Sequence, residues 1–148
     1  MKEGKYFNVR VYGLIVNAKN ELLIAEEFHY GTFMRKLPGG GLQFGEGIRD
    51  CLVREIQEEL QITINEFEHF HTTDFFIQST FNSDHQVLGV YFLVSPPDEL
   101  DGKFLAENRV AAREGEEFFK WVPIKDIKES DFTFPADKAA IKKFLTSL

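Results

Sequence analysis

The chain has 148 residues, of which 43% are hydrophobic and 14% aromatic, with phenylalanine alone contributing 16. This composition fits one globular domain and excludes an intrinsically disordered chain. The net charge of −7 argues against a protein that binds nucleic acid by neutralising many phosphates. An acidic site still admits a small phosphorylated ligand when divalent cations lie between its carboxylates and the phosphates.

The single cysteine, Cys51, excludes an internal disulfide and a multi-cysteine metal site, and it fits a reducing compartment. Residues 1–5 are charged and are not followed by an apolar stretch of signal-peptide length. The apolar run at 90–94 is too short to cross a bilayer. We therefore expect one cytoplasmic domain over residues 1–148, with no membrane or nucleic-acid polymer as partner. Its oligomeric state, a homodimer included, stays open.

The first half of the chain predicts a hairpin, a loop and a glycine segment. Apolar residues alternate up to Ile15, residues 17–20 predict a turn, and residues 22–24 predict the returning strand. A polar and aromatic loop is predicted over 28–36. The three glycines at 39–41 indicate backbone that approaches a ligand closely or adopts unusual dihedral angles.

A helical spacing of apolar residues runs from Gly47 to Gln61. Strands are predicted after it at 62–70, 72–81 and 86–94, with a turn at 82–85. A long loop at 96–116 and a strand at 118–122 precede a C-terminal helix that begins at Pro135. This order predicts an α+β fold in which a mixed sheet carries a central and a C-terminal helix.

Carboxylates lie on the apolar side of the first predicted helix. On a wheel of about 100° per residue, Glu55 and Glu59 fall inside the apolar arc and Glu58 falls at its edge. Their i, i+3 and i+4 spacing makes the three side chains neighbours, so they repel one another unless a cation compensates. Hard oxygen ligands of this kind suit Mg²⁺ or Mn²⁺. An ordinary solvated helix face is the competing interpretation.

The same segment resembles the signature of the Nudix hydrolases, Gly-x5-Glu-x7-Arg-Glu-U-x-Glu-Glu-x-Gly-U, in which U is aliphatic. The matching glycine, arginine and glutamate positions are Gly40, Glu46, Arg54, Glu55, Glu58 and Glu59. Gln61 replaces the last glycine, which leaves the exit of the helix open. Residues 37–40 and 121–124 add to the resemblance, which implies a Nudix-type α/β/α sandwich over most of the chain.

The resemblance also implies roles for these residues. It implies Mg²⁺ or Mn²⁺ as cofactor, with ligands from Gly40, Glu46, Glu55, Glu58 and Glu59. Glu55 would be a ligand or the general base, and Arg54 would orient it. The family takes a further glutamate from a loop before the last strand, and Glu114, Glu116 and Glu117 are available here. Among these three we favour Glu114.

The activity that the resemblance implies is hydrolysis of the pyrophosphate linkage in a nucleoside diphosphate joined to another moiety. Arg35 and Lys36 precede the glycines and are candidates for phosphate contacts, and Phe33 is a candidate for stacking on a base. Residues 134–137 resemble the segment with which MutT-type enzymes recognise a purine, so Asp137 would accept hydrogen bonds from a base edge. The substrate and the attacked phosphorus stay open.

Two alternatives use the same fold. A non-catalytic Nudix-fold module that binds a nucleotide typically loses carboxylates of the signature, whereas all of them are retained here. An isomerase of allylic diphosphates would call for an additional cysteine or histidine constellation, and the sequence pattern indicates none. Cys51 lies in the apolar arc, where a packing role is expected.

Overall fold

The computed structural model describes residues 4–104 and 109–148. Over these ranges the chain forms seven strands and two α-helices. The strands are β1 (Tyr6–Ile15), β2 (Glu21–His29), β3 (Thr32–Lys36), β4 (Gly39–Gly41), β5 (Phe67–Thr72), β6 (His85–Val94) and β7 (Glu117–Pro123). The helices are α1 (Ile48–Leu60) and α2 (Pro135–Thr146). Neither helix in this described part has the length and apolarity that a membrane crossing needs.

The strands form two sheets. A four-stranded sheet has the order β4-β1-β6-β5, with β1 parallel to β6 and antiparallel to β4. A three-stranded antiparallel sheet has the order β3-β2-β7. The parallel β1–β6 pair makes the first sheet mixed. The predicted α+β class with a mixed sheet, a central helix and a C-terminal helix is therefore confirmed.

Each helix packs on its own hydrophobic core. Because successive side chains of a strand point to opposite faces, one set of β1 and β2 residues faces α1 and the alternate set faces α2. The core under α1 includes Val11, Ile15, Leu23, Ala25, Cys51, Leu52, Ile56, Leu60 and Phe119. The core under α2 includes Tyr12, Leu14, Leu22, Ile24, Tyr91, Ala140, Ile141 and Phe144. The sheets thus lie between two helices.

The predicted pairing of the first two strands is wrong. The strands β1 and β2 exist, but among the described residues they are joined by one bridge, between Val16 and Leu22, and belong to different sheets. The strand β1 instead pairs with β6 over its whole length and with β4. A turn signal reports only that the chain reverses, whereas pairing depends on partners distant in sequence.

Two other segments also differ from prediction. Residues 28–36, predicted as a loop, form most of a β2–β3 hairpin that turns at Tyr30 and Gly31. Residues 73–81, predicted within a strand, are mostly irregular, with one bridge between Gln78 and Gln86. Aromatic and β-branched residues raised the strand signal there, but Phe75 and Phe76 are exposed. The strand predicted from residue 62 begins only at Phe67.

The end of α1 shows what replaces the family glycine. Gln61 adopts the left-handed conformation, with φ 58° and ψ 38°, and its N–H donates to the carbonyl of Gln57. The backbone therefore ends the helix in the conformation that glycine favours there, at a steric cost of about 1 kcal/mol for a side chain.

Gln61→Gly should therefore stabilise the protein. We expect the free energy of unfolding to rise by up to about 1 kcal/mol and Tm to rise by about 2–4 °C. The greater conformational entropy that glycine gives the unfolded chain offsets part of this gain. Thermal unfolding measures this. Gln57→Gly, an exposed site inside the same helix, is the matched variant and should lower stability by about 1 kcal/mol. A lower Tm for Gln61→Gly would contradict the assignment of strain.

Candidate functional site

Arg54 on α1 holds three glutamates together. Its Nε and Nη2 donate to the two oxygens of Glu46 at 2.9 and 2.7 Å, a bidentate pair. Its Nη1 donates to Glu55 at 2.9 Å and to Glu58 at 3.3 Å. Its Nη2 also donates to the carbonyl of Gly41 at 3.0 Å, which ties β4 to α1. These hydrogen bonds raise the pKa of Arg54, and the one to Glu46 lowers the pKa of that carboxyl to about 2.

The Glu55 carboxylate lies directly against the backbone of Gly40. A Cβ placed on Gly40 would stand 2.3 Å from the carboxyl carbon and from Oε2 of Glu55. Only glycine leaves room for this contact. The side chain of Glu55 is 15% exposed, whereas that of Glu58 is 58% exposed. The structure therefore confirms the predicted placement of Glu55 on the covered side of α1 and of Glu58 at its edge.

Glu59 is partly buried and carries one carboxyl oxygen that is buried and unsatisfied. Its Oε2 is inaccessible and has no hydrogen-bond partner in the described part of the chain. Burial raises the pKa of Glu59 to about 8, and the nearby Glu117 adds to the rise while Lys36 opposes it. The charge of this carboxylate is only partly compensated, so a cation bound here would lower the free energy of the ionised form.

The glutamates are not already arranged as a metal cage. Within residues 4–104 and 109–148, no three acidic, histidine or cysteine side chains converge as a ligand set. Arg54 instead occupies the space between Glu46, Glu55 and Glu58. The donor chemistry still fits Mg²⁺ or Mn²⁺, because carboxylate oxygens predominate and one of them, on Glu59, is buried and unpaired.

The three candidate loop glutamates occupy different places. Glu117, the first residue of β7, lies opposite Glu27 and forms an ion pair with Lys36 at 3.7 Å. Burial raises its pKa, and Glu55 contributes to the rise. Glu117 is therefore the one that the structure places with the carboxylates of α1. The register of β7 explains this placement, since it points the Glu117 side chain to the face that carries α1.

Glu114 and Glu116 bind backbone N–H groups away from the carboxylates of α1. Glu114 accepts hydrogen bonds from the backbone N–H groups of Tyr30 and Gly31. Glu116 accepts them from the backbone N–H groups of the loop that precedes it, at 112 and 113. The structure thus brings neither of these two side chains into the Arg54 cluster, although the sequence analysis favoured Glu114 among the three.

A cavity of about 310 Å³ lies beside this cluster. It is bounded by β1, the β2–β3 hairpin, the 77–82 segment and the start of α2. Its charged and aromatic lining residues are Arg10, Tyr12, Glu27, His29, Tyr30, Lys36, Phe81, Phe134 and Asp137. Lys36 forms ion pairs with Glu27 and Glu117, so it lies between the cavity and the carboxylates of α1.

Two of the four predicted substrate-binding residues line this cavity, and two do not. Lys36 and Asp137 line it. Arg35 donates instead to the buried Glu26 at 2.6 and 3.0 Å, and Phe33 is 39% exposed outside the lining. The alternation of β3 gives the reason, because residues 34 and 36 point to one face of the strand and residues 33 and 35 to the other.

Asp137 is buried at the bottom of the cavity, with 1% of its surface exposed. The hydroxyl of Tyr91 donates to its Oδ1 at 2.6 Å, and its Oδ2 has no hydrogen-bond partner among the described residues. Burial raises the pKa of Asp137 to about 6. Because a buried acceptor without a partner is costly, a ligand N–H group that reached this oxygen would form a favourable hydrogen bond.

Sequence analysis missed Arg10, Tyr12 and Tyr91. Arg10 lines the cavity and donates to the hydroxyl of Tyr12 at 2.9 Å, and the Tyr12 ring stacks on Tyr91. One signal was present in the sequence. A charged residue at position 10 stands between Val9 and Val11 in a predicted strand.

The burial of Asp137 predicts a dependence of stability on pH. Its pKa is about 6 in the folded protein against the usual 3.8, so its contribution to stability is present at low pH and lost as the pH rises through 6. The side chain introduced by Asp137→Asn has no ionisable group. We expect the variant to be more stable at pH 7.5 by up to about 3 kcal/mol, with no comparable gain at pH 4. Urea unfolding at both pH values measures this, and an equal gain at both would contradict it.

Comparison with known families agrees with this geometry. A family model described as NUDIX domain matches residues 7–144. An RNA pyrophosphohydrolase of Ruthia magnifica subsp. Calyptogena magnifica is 37% identical over 67 residues, which are 45% of this chain and 34% of that protein. An 8-oxo-dGTP diphosphatase of Escherichia coli K12 is 35% identical over 65 residues, 43% of this chain and 50% of that protein. The matches thus span half or less of these relatives' own length.

Comparison of structures supports the fold. A NUDIX hydrolase from Nitrosomonas europaea superposes with a TM-score of 0.67 at 20% sequence identity. The match covers 95% of this chain and 89% of that one. At this identity the likeness concerns the arrangement of the sheets and helices.

Proposed function

This chain belongs to the Nudix family, and on that premise we propose that it is a divalent-metal-dependent pyrophosphohydrolase of a nucleoside diphosphate linked to another moiety. One observation carries the proposal. The Glu59 carboxylate has a buried, unpaired oxygen and lies near Glu117, and Lys36, which is close to both, connects them to a cavity of about 310 Å³. A cation and a phosphate chain together would satisfy this arrangement.

The residues that would hold the metal are the carboxylates of the cluster and one backbone group. In the proposal they are the Gly40 carbonyl, Glu46, Glu55, Glu58 and Glu59. When bound, Mg²⁺ or Mn²⁺ neutralises phosphate charge and lowers the pKa of a bound water. Nε and Nη2 of Arg54 both donate to Glu46. Glu46 therefore supports the cluster largely by fixing the position of Arg54.

The remaining steps belong to side chains of this chain. Arg54 fixes the orientation of Glu55 through the hydrogen bond at 2.9 Å. Glu55 or Glu117 accepts the proton of the attacking water. Both are covered carboxylates, and Glu55 lies on α1 while Glu117 lies on β7, on the face that carries α1. Lys36 is placed to donate to a phosphate oxygen on the way from the cavity to the cluster. The water oxygen then bonds to one phosphorus in line with the bridging oxygen, the bond from that phosphorus to the bridging oxygen breaks, and the second phosphate leaves with the group attached to it.

The cavity fits the base of a small nucleotide. Its volume lies at the lower end of the range for small-molecule sites. Its aromatic walls are suited to a planar ring, and the free oxygen of Asp137 is suited to an N–H group at the edge of that ring. The net charge of −7 favours a small nucleotide over an RNA chain, although one curated relative is named as an RNA pyrophosphohydrolase.

Substitution of the three candidate loop glutamates tests the assignment of the base. Glu117→Gln should lower kcat about 100-fold or more, which is the lower range for loss of a general base or of a charge that supports one. Glu114→Gln and Glu116→Gln should change kcat less than about tenfold, because both side chains bind backbone N–H groups away from the Arg54 cluster. The steady-state rate of nucleoside monophosphate formation measures this. Equal and small losses in all three variants would show that the loop supplies no base.

The function itself is tested on a panel of nucleoside diphosphate derivatives, assayed by chromatography for the nucleoside monophosphate product with Mg²⁺ or Mn²⁺ and with chelator. We expect turnover of at least one member, and only with metal. Turnover that continues unchanged in chelator would contradict the metal-dependent mechanism. Tight nucleotide binding without any turnover would instead support the alternative, a non-catalytic Nudix-fold module.

A further inference from the structure

The turn of the β2–β3 hairpin carries a tyrosine where tyrosine is disfavoured. Tyr30 and Gly31 have φ values of 53° and 69°, as in the two-residue hairpin turns that prefer asparagine and glycine. A bulky residue with positive φ is uncommon and costs conformational free energy. Such strain is a reason to ask what the side chain does.

The ring of Tyr30 forms part of the cavity wall. Its centroid lies 4.6 Å from that of Phe81 and 3.9 Å from that of His29. The ring centroid of Phe81 in turn lies 6.3 Å from that of Phe134, in an edge-to-face arrangement. All four rings line the cavity and come from three separate segments of the chain. Together they form an aromatic wall, defined here as His29, Tyr30, Phe81 and Phe134.

Glu114 holds the turn that presents this tyrosine. Its carboxylate accepts hydrogen bonds from the backbone N–H groups of Tyr30 at 2.8 Å and of Gly31 at 2.9 Å. Its Oε2 also lies 2.5 Å from Nδ1 of His29. The neighbouring Gly115 N–H donates to the carbonyl of Phe28 at 2.9 Å, which anchors the loop to the hairpin. One side chain thus satisfies both turn amides in the conformation that tyrosine resists.

We infer that Glu114 is a positioning residue, which holds Tyr30 against Phe81 in the aromatic wall and so sets the affinity of the cavity for a planar base. Glu114 acts through Tyr30 and takes no part in proton transfer. The inference rests on the proposed function, since it assigns the cavity to the base of a nucleotide.

Calorimetric titration in metal-free buffer tests this with two ligands, GMP and ribose 5-phosphate, which shares the phosphate and sugar but lacks the base. Tyr30→Ala should weaken GMP binding about tenfold, within the range for loss of one stacking ring. Glu114→Ala should weaken it about fivefold. Neither variant should change ribose 5-phosphate binding. Tyr30→Phe keeps the ring and should bind GMP as the unsubstituted protein does.

The double variant decides between positioning and a separate role. In the Tyr30→Ala background, Glu114→Ala should add no further loss of GMP affinity, because its effect passes through that ring. Glu114→Gln, which keeps one acceptor oxygen, should fall between the unsubstituted protein and Glu114→Ala and guards against misfolding of the alanine variant.

Either of two results would overturn the inference. One is an equal loss of GMP and ribose 5-phosphate affinity in Glu114→Ala. The other is a loss that persists undiminished in the Tyr30→Ala background. Failure of the unsubstituted protein to bind GMP, together with failure to hydrolyse any nucleotide of the panel, would contradict the proposed function itself, and the inference with it.

Discussion

Glu59→Gln should remove at least about 99.9% of the turnover while making the metal-free protein more stable. One oxygen of the carboxylate is buried and unpaired, and desolvation raises the pKa of Glu59 to about 8. Glutamine has the same shape but does not ligate a hard cation well, and the loss of several kcal/mol of metal-mediated stabilisation corresponds to about a thousandfold in rate. Formation of the nucleoside monophosphate product in the presence of metal measures the first effect, and thermal unfolding in chelator measures the second.

The stability effect has a defined dependence on pH. The Glu59 pKa is raised above its usual 4.5, so its contribution to folding is present at low pH and is lost as the pH rises through 8. The advantage of Glu59→Gln should therefore grow between about pH 5 and pH 8. Glu58→Gln is the matched variant. Because its side chain is 58% exposed, we expect it to lose activity by orders of magnitude with little change in Tm. Normal turnover in Glu59→Gln would contradict the assignment of this residue.

Gly40→Ala should lower turnover about 100-fold with little loss of stability. Its Cβ would stand 2.3 Å from the Glu55 carboxylate, so that carboxylate must move. The group that yields is the end of a flexible side chain, so the fold is largely spared. A shift of about 1 Å in a reacting group is enough for a loss of this size. Steady-state kinetics and thermal unfolding, measured on the same preparation, check both parts.

The neighbouring glycine provides the contrast. A Cβ on Gly39 would stand 2.1 Å from the backbone carbonyl of Val11, and Gly39 has a φ of 146°. Backbone in a paired strand cannot yield as a carboxylate can, so Gly39→Ala should lower stability severely. Full activity in Gly40→Ala would show that the position of Glu55 is unimportant for the reaction.

The sequence predicted best what depends on neighbours along the chain. The helix was expected from Gly47 to Gln61 and runs over Ile48–Leu60. Its periodicity also placed Glu55 on the covered face and Glu58 at the edge, as the exposures of 15% and 58% confirm. Both follow from the fixed rotation per residue of an α-helix. The helix ends at Leu60 although Gln61 stands in place of the glycine, because Gln61 itself adopts the left-handed conformation.

What depends on contacts between distant segments could not be read from one sequence. The separation of β1 and β2 into two sheets follows from the pairing of β1 with β6, about 80 residues away in the sequence. The distinction between Glu114 and Glu117 follows from the register of β7 against β2. Three loop glutamates within four positions look alike in sequence, and only the paired strand decides which one faces α1.

Manganese binding, followed by the electron paramagnetic resonance signal of free Mn²⁺, tests the central claim most directly. The claim is that Glu59 and its neighbours on α1 hold a divalent cation. The unsubstituted protein should remove Mn²⁺ from solution, Glu59→Gln should bind it far more weakly, and the exposed Glu68→Gln should bind it normally. Equal Mn²⁺ binding by the unsubstituted protein and Glu59→Gln would contradict the account.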